Sequence, residues 1–106
     1  MDSYLENLLD TIKSKKNDDP SVSYTAQLHS KGINEILKKI GEESSETIIA
    51  AKGNNNKELI HEIADLWFHC LVLLSEKNLT VKDVTRELKS REGTSGIEEK
   101  NNRKIK

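Results

Sequence analysis

Apolar residues recur along this chain at intervals of three and four, the spacing that gathers side chains onto one face of an α-helix. Leu5, Leu8, Leu9 and Ile12 form the first stripe. Ser3 followed by Glu6 is a capping-box pattern ahead of it, so a helix is predicted from there to about Lys16. Asn17-Asp18-Asp19-Pro20 is a break, and a short segment from Ser21 to Lys31 is closed by Gly32. Ile33, Ile36, Leu37, Ile40, Thr47, Ile48 and Ala51 then share one face of a helix predicted from near Asn34 to Lys52, with Gly53 placed to end it. Beyond the polar turn Asn54-Asn55-Asn56, with Asn56 as N-cap, another helix is predicted from Lys57 to about Lys77. That helix differs in kind. Between Ile63 and Leu74 its apolar residues surround nearly the whole circumference, and a helix of that type must be covered on most sides. Thr80 with Asp83 begins a last helix, Leu79 and Val84 are spaced as a hydrophobic staple, and Val81, Val84 and Leu88 form its buried stripe up to about Gly93. The tail, residues 94–106, is polar and reads as a short helix or as chain without fixed structure.

The fold class expected from this pattern is all-α, an antiparallel helical bundle in one domain spanning residues 1–106. Composition agrees: apolar residues make up only 34% of the chain and charged residues 33%, which suits helices with wide solvated faces. So small a chain cannot wrap the Ile63–Leu74 segment by itself, so the bundle is expected to be completed by dimerisation. Trp67 and Phe68 are assigned to the core or to that dimer contact. A net charge of −1 argues against a nucleic-acid partner, and the chain has no long uncharged apolar run that would span a membrane. Cys70, the sole cysteine, lies in an apolar run and reads as a reduced core residue of a cytoplasmic protein.

Chemistry concentrates in Glu42-Glu43-Ser44-Ser45-Glu46 and, past the turn, in Glu62-Ile63-Ala64-Asp65. Residues three apart on a helix share a face, so Glu43 neighbours Glu46 and Glu62 neighbours Asp65. The turn between the helices is short, which makes them antiparallel neighbours. In such a hairpin the position numbers of level residues share one total, and a turn centred at position 54 sets Glu46 level with Glu62 and Glu43 level with Asp65. Four carboxylates then converge if their faces turn towards each other. Like charges at this spacing cost roughly 0.2–0.5 kcal/mol per pair even in water. A hard cation relieves the conflict, and an all-oxygen site of this kind suits Mg²⁺, with Mn²⁺ as a substitute. Zinc fits less well, because His61-Glu62-Ile63-Ala64-Asp65 lacks the second histidine of a zincin motif. The same register sets Lys39 level with His69, one turn beyond the Glu43/Asp65 layer, where a cation can hold a phosphate. Lys31, Lys38 and Lys52 are lesser phosphate candidates, Glu58 falls outside the acidic layers, and His29 and His61 carry no usable signal. Against all this stands a plain alternative, in which the acidic residues are simply solvated helix faces of a non-catalytic dimerisation module.

Glu42-Glu43-x-x-Glu46 followed by Glu62-x-x-Asp65 resembles the EExxE…ExxD signature of the all-α, MazG-like nucleotide pyrophosphohydrolases. Ser23-Tyr24-Thr25-Ala26, Lys31-Gly32, Lys39-Ile40-Gly41-Glu42-Glu43, Ile49-Ala50-Ala51-Lys52, the Ala64–Leu74 segment and Arg91-x-Gly93-x-Ser95-Gly96 are similar to the phosphoribosyl-ATP pyrophosphatase family. Trp67-Phe68-His69 stands where that family often has Leu-Tyr-His, and no acidic position is missing. The resemblance runs from about Ser21 to Arg103. It implies hydrolysis of phosphoribosyl-ATP to phosphoribosyl-AMP and pyrophosphate, the second step of histidine biosynthesis, with a general nucleotide pyrophosphohydrolase on the same site as the near alternative. It further implies Mg²⁺ on Glu43, Glu46, Glu62 and Asp65, with Glu43 or Glu46 as general base and Glu42 supporting them from behind. Lys31, Lys39, Lys52 and Arg91 would bind substrate, and the Arg91–Lys100 region would close over the phosphoribosyl group. Some relatives carry a fused cyclohydrolase, for which a chain of 106 residues is expected to have no room.

Overall fold

The computed structural model describes residues 3–93, with the side chain of Ser3 outside the description. These residues form five α-helices and no strand: α1 (Ser3–Ser14), α2 (Tyr24–Lys31), α3 (Ile33–Lys52), α4 (Asn56–Glu76) and α5 (Val81–Ser90). The all-α, antiparallel arrangement is the one expected. The conformations assigned to residues 94–106 and the cap assigned to Ser3 fall outside the described residues.

Local chemistry sets the helix ends. The Ser23 hydroxyl accepts the Ala26 N–H at 3.1 Å and starts α2. Gly32 then serves both as the end of α2 and as the start of α3, at φ +91°, a backbone conformation that a side chain would strain. Asn55, one residue earlier than expected, caps α4 by accepting the Glu58 N–H at 3.1 Å. At the far end of α4, Asn78 adopts φ +57° and the Leu79 N–H closes onto the Leu74 carbonyl at 2.8 Å, turning the chain into α5. Thr80 and Asp83 form the expected capping box, each side chain accepting the other's backbone N–H. The last helix stops at Ser90, short of Gly93.

The long helices α3 and α4 lie side by side, and α1, α2 and α5 pack around one end of that pair. Leu9 and Ile12 of α1, Leu28 of α2, Ile36 of α3, Leu71 and Val72 of α4 and Val81 of α5 make the core. Two histidines tie α2 down. His29 donates its Nδ1–H to the Thr25 carbonyl at 2.9 Å, leaving Nε2 to accept the Ser75 hydroxyl of α4 at 3.0 Å. His69 of α4 is buried and reaches back to Tyr24.

Three expectations about burial need correction. In the second half of α3, Ala50 is the buried position, while Ile48 and Ile49 are 65% and 69% exposed and Ala51 is exposed. Cys70 is exposed rather than a core residue. Val84 and Leu88 of α5 are exposed, with only Val81 of that stripe buried. One cause serves all three. The five helices close around one end of the α3–α4 pair, and the described residues leave uncovered the apolar side chains at its other end, along the outer side of α4 and on the part of α5 beside it. Trp67, at 57% exposure, lies on that outer side.

Ile36 is fully buried where α3 meets the small helices. Ile36→Ala should lower the stability in urea unfolding by about 2–5 kcal/mol, whereas Ile49→Ala on the same helix should cost well under that.

Candidate active site

The Gly53-Asn54-Asn55 connection returns the chain so that α4 runs antiparallel along α3. Both helices are regular through the acidic stretch, so the spacing of three places Glu43 above Glu46 and Glu62 above Asp65. The faces do turn towards each other. Carboxylate oxygens of Glu43, Glu46 and Glu62 can all lie within 4.8 Å of one another, and ligand atoms of His61, Glu62 and Asp65 do the same. Glu62 belongs to both groups and joins them into one cluster.

Electrostatics follows from this crowding. The Glu43 carboxyl is pushed up to about 7, first by burial and then by the charges of Glu46, Asp65 and Glu62. Its Oε2 is buried and has no hydrogen-bond donor among the described residues. A buried carboxylate oxygen without a donor is costly, and it faces other acceptors. The donors missing from this pocket are what a divalent cation replaces. An all-carboxylate set fits Mg²⁺ or Mn²⁺, and the residues present therefore suit the ion expected from the sequence.

Around the cluster, Lys39 of α3 pairs with Glu42 at 3.5 Å. Its ammonium is held above its usual range first by Tyr24 and then by Glu42. Glu42, the position expected to support the ligands from behind, thus engages the lysine rather than the carboxylates. On the facing helix, His69 donates Nδ1–H to the Asp65 carbonyl at 2.8 Å, and its Nε2 lies 2.9 Å from the Tyr24 hydroxyl. Lys31 and Lys52 are exposed at the last positions of α2 and α3, and Arg91 pairs with Glu87 at 3.1 Å. Among the described residues no ion pair joins these three to the carboxylates. Sequence reasoning missed His61, whose Nε2 stands 3.3 Å from an Asp65 oxygen on the exposed side of the cluster. It also missed Tyr24. The spacing of four between His61 and Asp65 was available as a signal; the approach of Tyr24 to His69, 45 residues away, was not.

Residues 5–92 match the family model described as phosphoribosyl-ATP pyrophosphohydrolase. Among curated relatives, the phosphoribosyl-ATP pyrophosphatase of Methylococcus capsulatus is 50% identical over 95% of this chain and 96% of its own length. Those of Nitrosospira multiformis and Vesicomyosocius okutanii are 51% and 52% identical, covering 94% and 93% of this chain and 83% and 91% of theirs.

The crowding at Glu43 sets the pH response of the ion-free protein. Its carboxyl rises from an ordinary 4.5 to about 7 in the folded state. Between those values the folded chain keeps a proton that the unfolded chain has released, so stability falls as pH rises through that window. Urea unfolding in the presence of a chelator should show a loss on the order of 1–3 kcal/mol from pH 4.5 to 8. Glu43→Gln should flatten the profile.

Proposed function

The chain belongs to the phosphoribosyl-ATP pyrophosphohydrolase family, and from that premise we propose how its residues divide the work of the reaction. It is a hydrolase of histidine biosynthesis that splits phosphoribosyl-ATP into phosphoribosyl-AMP and pyrophosphate. The bond broken is the α–β phosphoanhydride, and water supplies the oxygen. Glu43, Glu46, Glu62 and Asp65 hold Mg²⁺, for which Mn²⁺ can substitute. The ion, when bound, offsets the charge of the phosphate oxygens and acidifies water. One of Glu43 and Glu46 takes the proton of the attacking water on a carboxylate oxygen. Lys39, steadied by Glu42, orients the polyphosphate, and Lys31, Lys52 and Arg91 add positive charge at the edges of the binding region. The observation that carries this division is the buried, donorless Oε2 of Glu43 among three further carboxylates. A merely solvated acidic face has no reason to crowd its carboxylates until one of them is pushed up to about 7.

The catalytic unit is one domain, acts in the cytoplasm on a small-molecule substrate, and works as a homodimer. No helix of the described residues is long and apolar enough to cross a membrane. Support for a second copy comes from α4, where Ile60, Ala64, Trp67 and Cys70 form an exposed stripe at helical spacing. Beside it, Leu5, Trp67, Cys70, Leu74, Val84 and Leu88 line an apolar groove of about 340 Å³. Stripe and groove are continuous through Trp67 and Cys70, and a large uncovered patch of this kind marks an interaction face.

Pyrophosphate release from phosphoribosyl-ATP, measured with magnesium and with chelator, tests the assignment. Release should require the metal and should exceed release from ordinary nucleoside triphosphates at equal concentration. Glu46→Ala and Asp65→Ala should each lose at least about 100-fold in turnover while helicity by circular dichroism is unchanged. Near-parental rates in both variants at saturating Mg²⁺ would refute the metal ligands. In light scattering the parent should run at twice the monomer mass, and Trp67→Glu should shift it towards the monomer.

A further inference from the structure

Building on that reading of the site, we propose that its exposed edge holds a second kind of divalent ion. His61, Glu62 and Asp65 are its ligands, and zinc represents its class. The protein has three histidines, and two of them are fully engaged. His29 and His69 each spend Nδ1–H on the carbonyl four residues earlier and turn Nε2 to a hydroxyl. His61 does neither. Among the described residues its ring takes part in no hydrogen bond, and its Nε2 faces Asp65 Oδ2 at 3.3 Å.

Spacing explains the approach. His61 and Asp65 are four residues apart on a regular helix, so their side chains share one face of α4. Glu62 completes the set, and ligand atoms of all three lie within 4.8 Å of one another. Donors about 2.0–2.1 Å from a tetrahedral ion lie roughly 3.4 Å apart, close to the His61–Asp65 separation of 3.3 Å. A plain ion pair contributes little here, since the two side chains are 70% and 42% exposed. It also leaves Glu62 crowded against Asp65. A divalent ion answers both carboxylates and uses the free imidazole nitrogen.

The donor set decides which ion. Glu43, Glu46 and Glu62 offer oxygen alone and suit Mg²⁺, whereas one imidazole beside two carboxylates suits zinc and its neighbours in the first transition row. His61-Glu62-x-x-Asp65 has the outline of a zincin helix with aspartate in place of the second histidine. Three protein ligands leave the fourth position of a tetrahedral ion open. Glu62 belongs to both sets, so zinc draws a ligand away from Mg²⁺ and repels it besides. Zinc at this edge therefore opposes the magnesium on which the proposed reaction depends.

Calorimetric titration of the full chain with Zn²⁺, alone and at increasing Mg²⁺, tests this. The parent should take up one Zn²⁺, with an affinity that falls as Mg²⁺ rises. His61→Ala, at an exposed position of a helix, should bind Zn²⁺ about tenfold more weakly while its Mg²⁺ affinity changes less than twofold. In NMR spectra, one equivalent of Zn²⁺ should move the imidazole signals of His61 further than those of His29 and His69. Equal zinc affinity in parent and variant would overturn the proposal, as would zinc binding indifferent to bound Mg²⁺. So would an equal loss of Mg²⁺ affinity in His61→Ala, or His61 signals that stay in place. Absence of Mg²⁺ binding, or of phosphoribosyl-ATP hydrolysis, beside zinc binding that depends on His61 would count against the functional reading alone.

Discussion

Repulsion among four carboxylates is the constraint around which this molecule is organised. Two helices of about twenty residues, joined by a tight turn, press Glu43 and Glu46 against Glu62 and Asp65. Nothing in that arrangement helps folding. Glu43 responds as a buried carboxyl among like charges must, by holding its proton to about pH 7. The rest of the fold supplies what the acidic pocket cannot. A core of aliphatic residues from all five helices lies at one end of the α3–α4 pair and stabilises it against that cost.

The polar network next to the pocket has a consistent logic. Each of two histidines spends its Nδ1–H on the carbonyl four residues earlier and thereby becomes an acceptor at Nε2. His29 uses that capacity to fasten α2 to Ser75, and His69 uses it to orient Tyr24. Backbone geometry thus determines the tautomer, and the tautomer determines which way a hydroxyl points.

Much of this was legible in the sequence, and for identifiable reasons. Glycine, proline and asparagine runs, with capping patterns at Thr80 and near Asn55, mark the helix boundaries to within a residue or a few. The short turn makes the register between α3 and α4 a matter of counting, so the convergence of the acidic residues was accessible before any coordinates. Burial was harder to read. Ile48, Cys70, Val84 and Leu88 sit in apolar patterns, yet the described residues leave them exposed. A periodic stripe states that a face will be covered, not which molecule covers it. Tyr24 lay out of reach for another reason, since its contact depends on the path of α2 across the end of the bundle, and no spacing rule describes a path.

That path hangs on a single residue. Gly32 alone stands between α2 and α3, and no other atom crowds the place where its side chain would be. What fixes the corner is therefore backbone rotation at one position and not packing around it. A joint without a linker has no slack, so the crossing angle of the two rods is passed undiluted from one to the other. An ordinary side chain at the elbow between these two helices would strain the backbone there, and that strain would pass into both rods.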